Sequence, residues 1–329
     1  MGGGRDFDYL SLSNTNCIKG IFALFVLVHH LYQYSKLFLE TYLSTMLQGL
    51  GYVSVAVFFF LSGYGLRVSH ISKGQKYVKS LPIKRILPLY LQCMLLIGMY
   101  TILYVAIGKE VRIELISQSF LWGATIVAGG WYLQTILVLY FLYYLVYGVW
   151  GYNRIKSERK LHIVMLVALT IYILICTLFG KAITWYQSIF GFMLGIIWCD
   201  YREWFDKKLN RHWVVSGITA FIAFAILFLA GLKIKYFTIL VALAFDVLAM
   251  IFLMRIPVNC GVTRWLGRYY FEIYVMQGIS LLLFHSDQFY IDNKWLYVFV
   301  CILTTLLFAV IIHPVFHFIS NVIKWTKFT

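Results

Sequence analysis

The chain has 329 residues, 62% hydrophobic and 12% charged, with a mean hydropathy of +0.81 and a formal net charge of +15. Soluble domains carry about 25% charged residues, so a water-soluble fold is excluded, because a chain of this length has no interior large enough for so much apolar surface. The positive charge does not indicate nucleic acid: the Lys and Arg residues lie in short segments between apolar runs, without a recognisable binding module.

The opening stretch, Met1 to Asn16, is polar and shows no cleavable signal pattern, and Asp6 stands where a myristoylation motif needs Ser or Thr. From there apolar runs follow almost end to end. A membrane helix needs about 20 apolar residues. On that basis spans are expected near 17–35, 47–66, 87–108, 131–150, 161–180, 185–199, 213–231, 236–254, 271–285 and 295–319, the sixth and ninth being short. The expected fold is thus an all-α integral membrane bundle of about ten transmembrane helices, with residues 1–329 forming one membrane domain. Placing the N-terminus in the cytoplasm puts 21 Lys and Arg residues on the cytoplasmic side and 7 on the external side. That bias predicts cytoplasmic N- and C-termini and an even number of spans. The six cysteines are scattered through or beside apolar runs with no CxxC pair, so neither a disulfide framework nor a zinc site is expected, and no metal.

Ionisable groups inside a span are costly and so are functional candidates. These are His29, His30, Asp246, Glu272, His285, His313 and His317. His30 follows Lys19 by eleven residues, about 16 Å along the first helix and near mid-membrane. A neutral imidazole there can act as a general base or can tie two helices together, and the residues alone support both. His29 points about 100° away and is read as structural. Asp246 is expected to pair with a histidine or helix backbone, with an orienting role toward His30 as a lesser option. Glu272 is expected to pair with Arg268 four residues earlier. The run Phe58-Phe59-Phe60-Leu61-Ser62-Gly63-Tyr64-Gly65 offers glycines for close helix packing or for a break that admits a ligand. A basic loop from Arg67 to Arg85, with Lys73, Lys76, Lys79 and Lys84, enters the third span through Ile86-Leu87-Pro88. It enforces topology against anionic lipid, and Arg85 is placed to hold a phosphate bidentately.

Taken together these features resemble the acyltransferase-3 family of integral membrane acyltransferases. Ile18-Lys19-Gly20-Ile21 leading to His30 is similar to the family's opening run, with Lys19 in place of its arginine and the histidine in register. Phe58-Phe59-Phe60-Leu61-Ser62-Gly63 looks like its Phe-Phe-x-x-Ser-Gly segment, and Arg85-Ile86-Leu87-Pro88-Leu89-Tyr90 its Arg-x-x-Pro-x-Tyr entry to span 3. Trp131-Tyr132-Leu133, the Phe190 to Gly195 run and Leu266-Gly267-Arg268-Tyr269-Tyr270 continue the likeness in order. The chain departs from the pattern at Pro82, at Gln134-Thr135-Ile136, where many members carry a Glu, and at Gln277 in place of a His.

The resemblance implies transfer of an acyl group, most often acetyl, from cytoplasmic acyl-coenzyme A (acetyl-CoA) to a hydroxyl of a cell-envelope glycan or lipid-linked sugar. The setting is a multi-pass protein of the plasma or inner membrane in contact with membrane lipid. His30 would be the base or the acyl carrier. Arg85 and Lys84 would hold a coenzyme A phosphate, Lys19 would hold a phosphate or shape the cytoplasmic mouth, and the pantetheine arm would enter beside Ser62 and Gly63. Two rival readings remain: a polytopic transporter of glycans or other solutes, and a haem or quinone protein with His30 facing His313 or His317.

Overall fold

The computed structural model describes residues 8–37, 42–122, 126–151 and 157–325. Met1 to Gly4, Asp6, and four of the bases in the charge count, Arg5, Arg154, Lys156 and Lys327, lie outside them. Every regular element among the described residues is helical. In chain order the α-helices are α1 (Leu12–Ser35), α2 (Tyr42–Lys79), α3 (Leu87–Ala106), α4 (Ile113–Trp122), α5 (Gly130–Tyr143), α6 (Glu158–Leu178), α7 (Phe190–Asp200), α8 (Arg202–Arg211), α9 (Trp213–Lys233), α10 (Thr238–Leu253), α11 (Gly261–Arg268), α12 (Tyr270–Phe284) and α13 (Lys294–Trp325). A π-helical turn, Pro82–Ile86, leads into α3, and a second, Tyr144–Trp150, extends α5.

Eight helical segments are long and apolar enough to cross a membrane: Leu12–Ser35, Tyr42–Lys79, Pro82–Ala106, Gly130–Trp150, Glu158–Leu178, Trp213–Lys233, Lys235–Leu253 and Lys294–Ile323. The expected sixth and ninth spans are occupied by α7 and α12, of 11 and 15 residues. At 1.5 Å per residue these reach roughly 16 and 22 Å, short of a hydrocarbon core of about 30 Å. Lipid is the only cover available to some of this surface. None of the most apolar stretch of α9 is buried by protein, and leaving such a face in water would forfeit about 25 cal/mol for every Å².

The clearest difference from the sequence reading lies between the second and third spans. The expected basic loop is not a loop. Helix α2 continues to Lys79, thirteen residues beyond the expected end of its span, and bends at Gly74 (φ 64°, ψ −166°). A positive φ of this kind strains any residue with a Cβ, so glycine sits at the bend. Pro82, at the start of the next turn, has no N–H to leave unbonded. The Leu87 N–H then bonds back to the Pro82 carbonyl, closing the wide π turn from which α3 proceeds. Three short polar-faced helices, α4, α8 and α11, were also absent from the span list, since they lie between spans and are too short to register by length.

The helices gather into two compact units. The first comprises Met1–Phe25, Tyr52–Val68 and Tyr186–Tyr270. It is held by close backbone approach: a Cβ added at Gly63 would run into the Phe192 carbonyl, and one at Gly195 into the Phe60 carbonyl, so α2 and α7 meet along their backbones. At one end of this interface Arg67 Nε lies 2.6 Å from Asp200 Oδ1, both side chains largely buried. Arg202 binds Asp8 at 2.5 Å and donates to Tyr64 Oη at 2.9 Å, while Tyr9 donates to Asp206 at 2.6 Å. The second unit comprises Val26–Gly51, Ser69–Trp185 and Phe271–Thr329. Gln92 of α3 donates to the Phe316 carbonyl at 3.1 Å, two residues beyond Pro314, where α13 carries its internal proline. Tyr100 donates to the Val275 carbonyl at 3.1 Å, fastening α3 to α12.

Candidate functional site

His30 stands eighteen residues into α1 and five before its end, so it lies toward the far end of the helix rather than at its middle. The helix begins at Leu12, earlier than the apolar run suggested. The imidazole is half-buried, and its Nδ1 lies 3.1 Å from Gln33 Oε1, one turn along. Gln33 in turn donates its amide N–H to Gln48 Oε1 of α2, at 3.4 Å. With the Gln33 amide oriented in this way, its oxygen is an acceptor and His30 Nδ1 carries the proton. The Nε2 lone pair is then the basic site.

The neighbouring His29 is buried. Its Nδ1–H donates to the Leu47 carbonyl at 2.9 Å, and its ring lies against Gly51, where a Cβ would come within 2.6 Å of Nε2. It therefore fastens α1 to the first turns of α2, and the two imidazoles, 4.9 Å apart, form one cluster.

The basic hairpin encloses a cavity of about 450 Å³ lined by Lys73, Lys76, Tyr77, Ser80, Lys84 and Arg85. Four cations from three successive turns of backbone converge there because the chain is helical on both sides of the Gly74 bend. As an extended loop the same residues would not point inward together. Arg67, counted in the sequence with this basic stretch, is instead consumed by Asp200.

Beneath the hairpin lies a polar cluster that the sequence reading missed. His70 Nδ1 is 3.1 Å from Tyr143 Oη, and Gln75 bridges His70 Nε2 (3.2 Å) and the Tyr147 carbonyl (3.1 Å). Tyr143 and Tyr147 stack at 4.5 Å. Because the segment after Arg67 was read as a loop, His70 did not register as an ionisable group inside a helix.

The other candidate residues fall in different surroundings. Gly63 packs against the Phe192 backbone, which is the close-packing role weighed for it in the sequence, and Ser62 beside it is half-buried. Lys19 Nζ lies over the Tyr270 ring, 5.1 Å from its centre. Asp246 pairs with no histidine: its side chain is fully buried, neither oxygen has a hydrogen-bond partner among the described residues, and Oδ2 lies against Gly191, 2.6 Å from where a Cβ would stand. Glu272 does not use Arg268, because the helix breaks at Tyr269 and the i, i+4 register is lost. Its carboxylate accepts from His313 Nδ1 of α13 at 2.8 Å, and the His313 ring lies 6.1 Å from that of His317. His317 meets Asn321 at 2.9 Å. The imidazoles of His30, His313 and His317 thus each have a side-chain neighbour, Gln33, Glu272 and Asn321.

Two further cavities lie in the second unit. One, of about 300 Å³, is apolar and runs between α3, α4 and α5, from Ile86 and Tyr90 to Val127 and Gly130. The other, of about 410 Å³, is lined by Gln118, Gln134, Val138, Tyr172, Cys176, Lys181 and Trp185, among others. They share Gln134 and Val138, one turn apart on α5.

Helices of this length and polarity, with ionisable clusters held between them, define a multi-pass membrane protein. Residues 13–313 match the model of a family described as an acyltransferase domain. The match covers nearly the whole chain, and the chain belongs to that family. Neither a curated protein nor a solved structure matches it. Membership supports acyl transfer within a membrane as its activity.

Proposed function

We propose that this protein moves an acyl group, acetyl in the simplest case, from cytoplasmic acyl-coenzyme A to a hydroxyl of a cell-envelope glycan or lipid-linked sugar, in the plasma membrane. The observation that carries the donor assignment is the cavity of Lys73, Lys76, Lys84 and Arg85. Coenzyme A is polyanionic, and four cations around one cavity suit its phosphates. Arg85 offers a bidentate fork and the lysines offer point charges. With both termini cytoplasmic, as the charge bias favours, this hairpin faces the compartment where acyl-coenzyme A is made.

His30 Nε2 takes the proton of the acceptor hydroxyl as its oxygen attacks the thioester carbonyl carbon. The carbon–sulfur bond breaks, the ester forms, and the proton returns from the imidazolium to the departing coenzyme A thiolate. In the two-step variant Nε2 attacks the thioester carbonyl and expels the coenzyme A thiolate; the acceptor hydroxyl then attacks the acyl-imidazole, the carbon–nitrogen bond breaks, and the hydroxyl proton passes to the thiolate. Gln33 and Gln48 hold the tautomer that leaves Nε2 basic. Gly63 is engaged in packing against α7, which favours another path for the donor's arm than the Ser62-Gly63 step. The apolar cavity that begins at Ile86, the residue after Arg85, is a better-shaped recess for it.

The test is incubation of purified protein with acetyl-labelled coenzyme A and envelope extract. Label should enter glycan with wild type and not with His30→Ala, while that variant still inserts and elutes as a single species. Full transfer by His30→Ala would remove the imidazole from the chemistry. Glycan moved across the membrane without becoming labelled would favour a transporter.

A further inference from the structure

The 410 Å³ cavity beside α5 is set apart by the way its walls are fixed. Thr135 is fully buried, and its hydroxyl stands between three partners: the Trp131 carbonyl at 2.8 Å, Tyr172 Oη at 3.2 Å and the Trp185 carbonyl at 3.4 Å. One side chain of α5 therefore locks an aromatic residue of α6 and the backbone of the Ile183–Trp185 turn into one frame. Lys181 Nζ lies against the Trp185 ring, 4.6 Å from its centre, and orients it. The side chains of Gln118 and Gln134 complete the lining. The volume lies within the range of small-molecule sites, about 300–1,000 Å³.

From this geometry we infer that the cavity is the sugar-binding subsite for the acceptor, with one pyranose ring placed against Trp185. An indole presents a flat apolar face to the C–H face of a sugar while leaving the ring's hydroxyls free. Those hydroxyls need both donors and acceptors around the rim. Two amides, a phenol and an ammonium supply both kinds, and the ammonium also suits a carboxylate or phosphate on the sugar. A lipid tail would have no use for these groups. The neighbouring apolar cavity, which shares Gln134 and Val138, has few polar groups, so the two recesses differ in what they can hold. The identification of the sugar as acceptor rests on the acyltransferase reading; the binding of a sugar does not.

The experiment is saturation-transfer NMR on the full chain in lipid nanodiscs, with methyl glucoside, methyl N-acetylglucosaminide and methyl galacturonide as probes. Wild type should saturate at least one glycoside, Trp185→Ala should lose the signal, and Trp295→Ala, which removes an exposed indole on α13, should keep it. Gln118→Ala, a substitution on an exposed helix face, should weaken binding even if Trp185→Ala fails to fold. In the transfer assay Gln118→Ala and Trp185→Ala should raise the acceptor KM about tenfold with the KM for acyl-coenzyme A unchanged. If no glycoside binds wild type, or Trp185→Ala and Gln118→Ala both bind like wild type, the indole only anchors the chain at the membrane interface and the inference is overturned. Glycoside binding that depends on Trp185 in a protein that transfers no label would keep the sugar site and sink the acyltransfer reading instead.

Discussion

The two compact units solve opposite problems. In the first, Gly63, Gly191 and Gly195 bring backbones together until no side chain fits between them, and charges are spent on one another, Arg67 on Asp200 and Arg202 on Asp8. In the second, the helices leave three cavities between them, lined by lysines at the hairpin and by amides and an indole beside α5. On the proposed reading the first serves as a scaffold and the second carries the site. The same residue types serve both purposes, so what separates them is where the fold sets them, against a buried carboxylate of the same unit or in the wall of a cavity. Arg67 and Arg85 are eighteen residues apart in one basic stretch, yet one is a strut and the other lines a cavity.

That contrast can be broken from the scaffold side first. Gly195→Ala forces a Cβ into the Phe60 carbonyl, a backbone atom that cannot step aside. The largest effect is expected here, with loss of a monodisperse species on size exclusion after detergent extraction. Arg67→Ala leaves Asp200 buried without its partner and should cost about 3–5 kcal/mol, read as a lowered unfolding midpoint in detergent. The double change Arg67→Leu with Asp200→Leu should recover much of that loss, because a well-packed apolar pair needs no desolvation of charge.

From the site side the expected changes are smaller in stability and specific in kinetics. Lys84→Gln with Arg85→Gln should raise the KM for acyl-coenzyme A tenfold or more, since each charge-assisted bond is worth about 1.5–3 kcal/mol. The unfolding midpoint should move little. A midpoint that falls as far as it does for Arg67→Ala would make these residues scaffold as well. Gly74→Ala is the mildest test. Its φ of 64° with ψ of −166° is open essentially only to glycine, so alanine should cost about 1–3 kcal/mol and misalign the cations, raising KM for the donor a few-fold with kcat unchanged.

Much of this was legible before any coordinates. The membrane class and the positions of the long helices follow from apolar length alone, because a bilayer admits only segments whose backbone groups are satisfied internally. Even the two short spans were marked as short. His30 stood out by its spacing from Lys19 and Arg85 by its place at the entry to the third span, and the transfer assay decides both. What escaped was polar or distant. A helix rich in Lys and Ser has no apolar stripe, so 67–79 read as a loop and His70 within it was passed over. Glu272 seemed to have a partner four residues away until the break at Tyr269 turned it toward His313, 41 residues on.

The sequence by itself determined the solvent: a chain this apolar and this sparsely charged must fold in lipid, and each long apolar run must become a helix there. Only the tertiary structure decided which charges neutralise each other and which surround a cavity. Pairing such as Arg67 with Asp200, 133 residues apart, depends on which helices lie side by side. That adjacency is set by packing of the whole bundle and leaves no local trace in the order of residues.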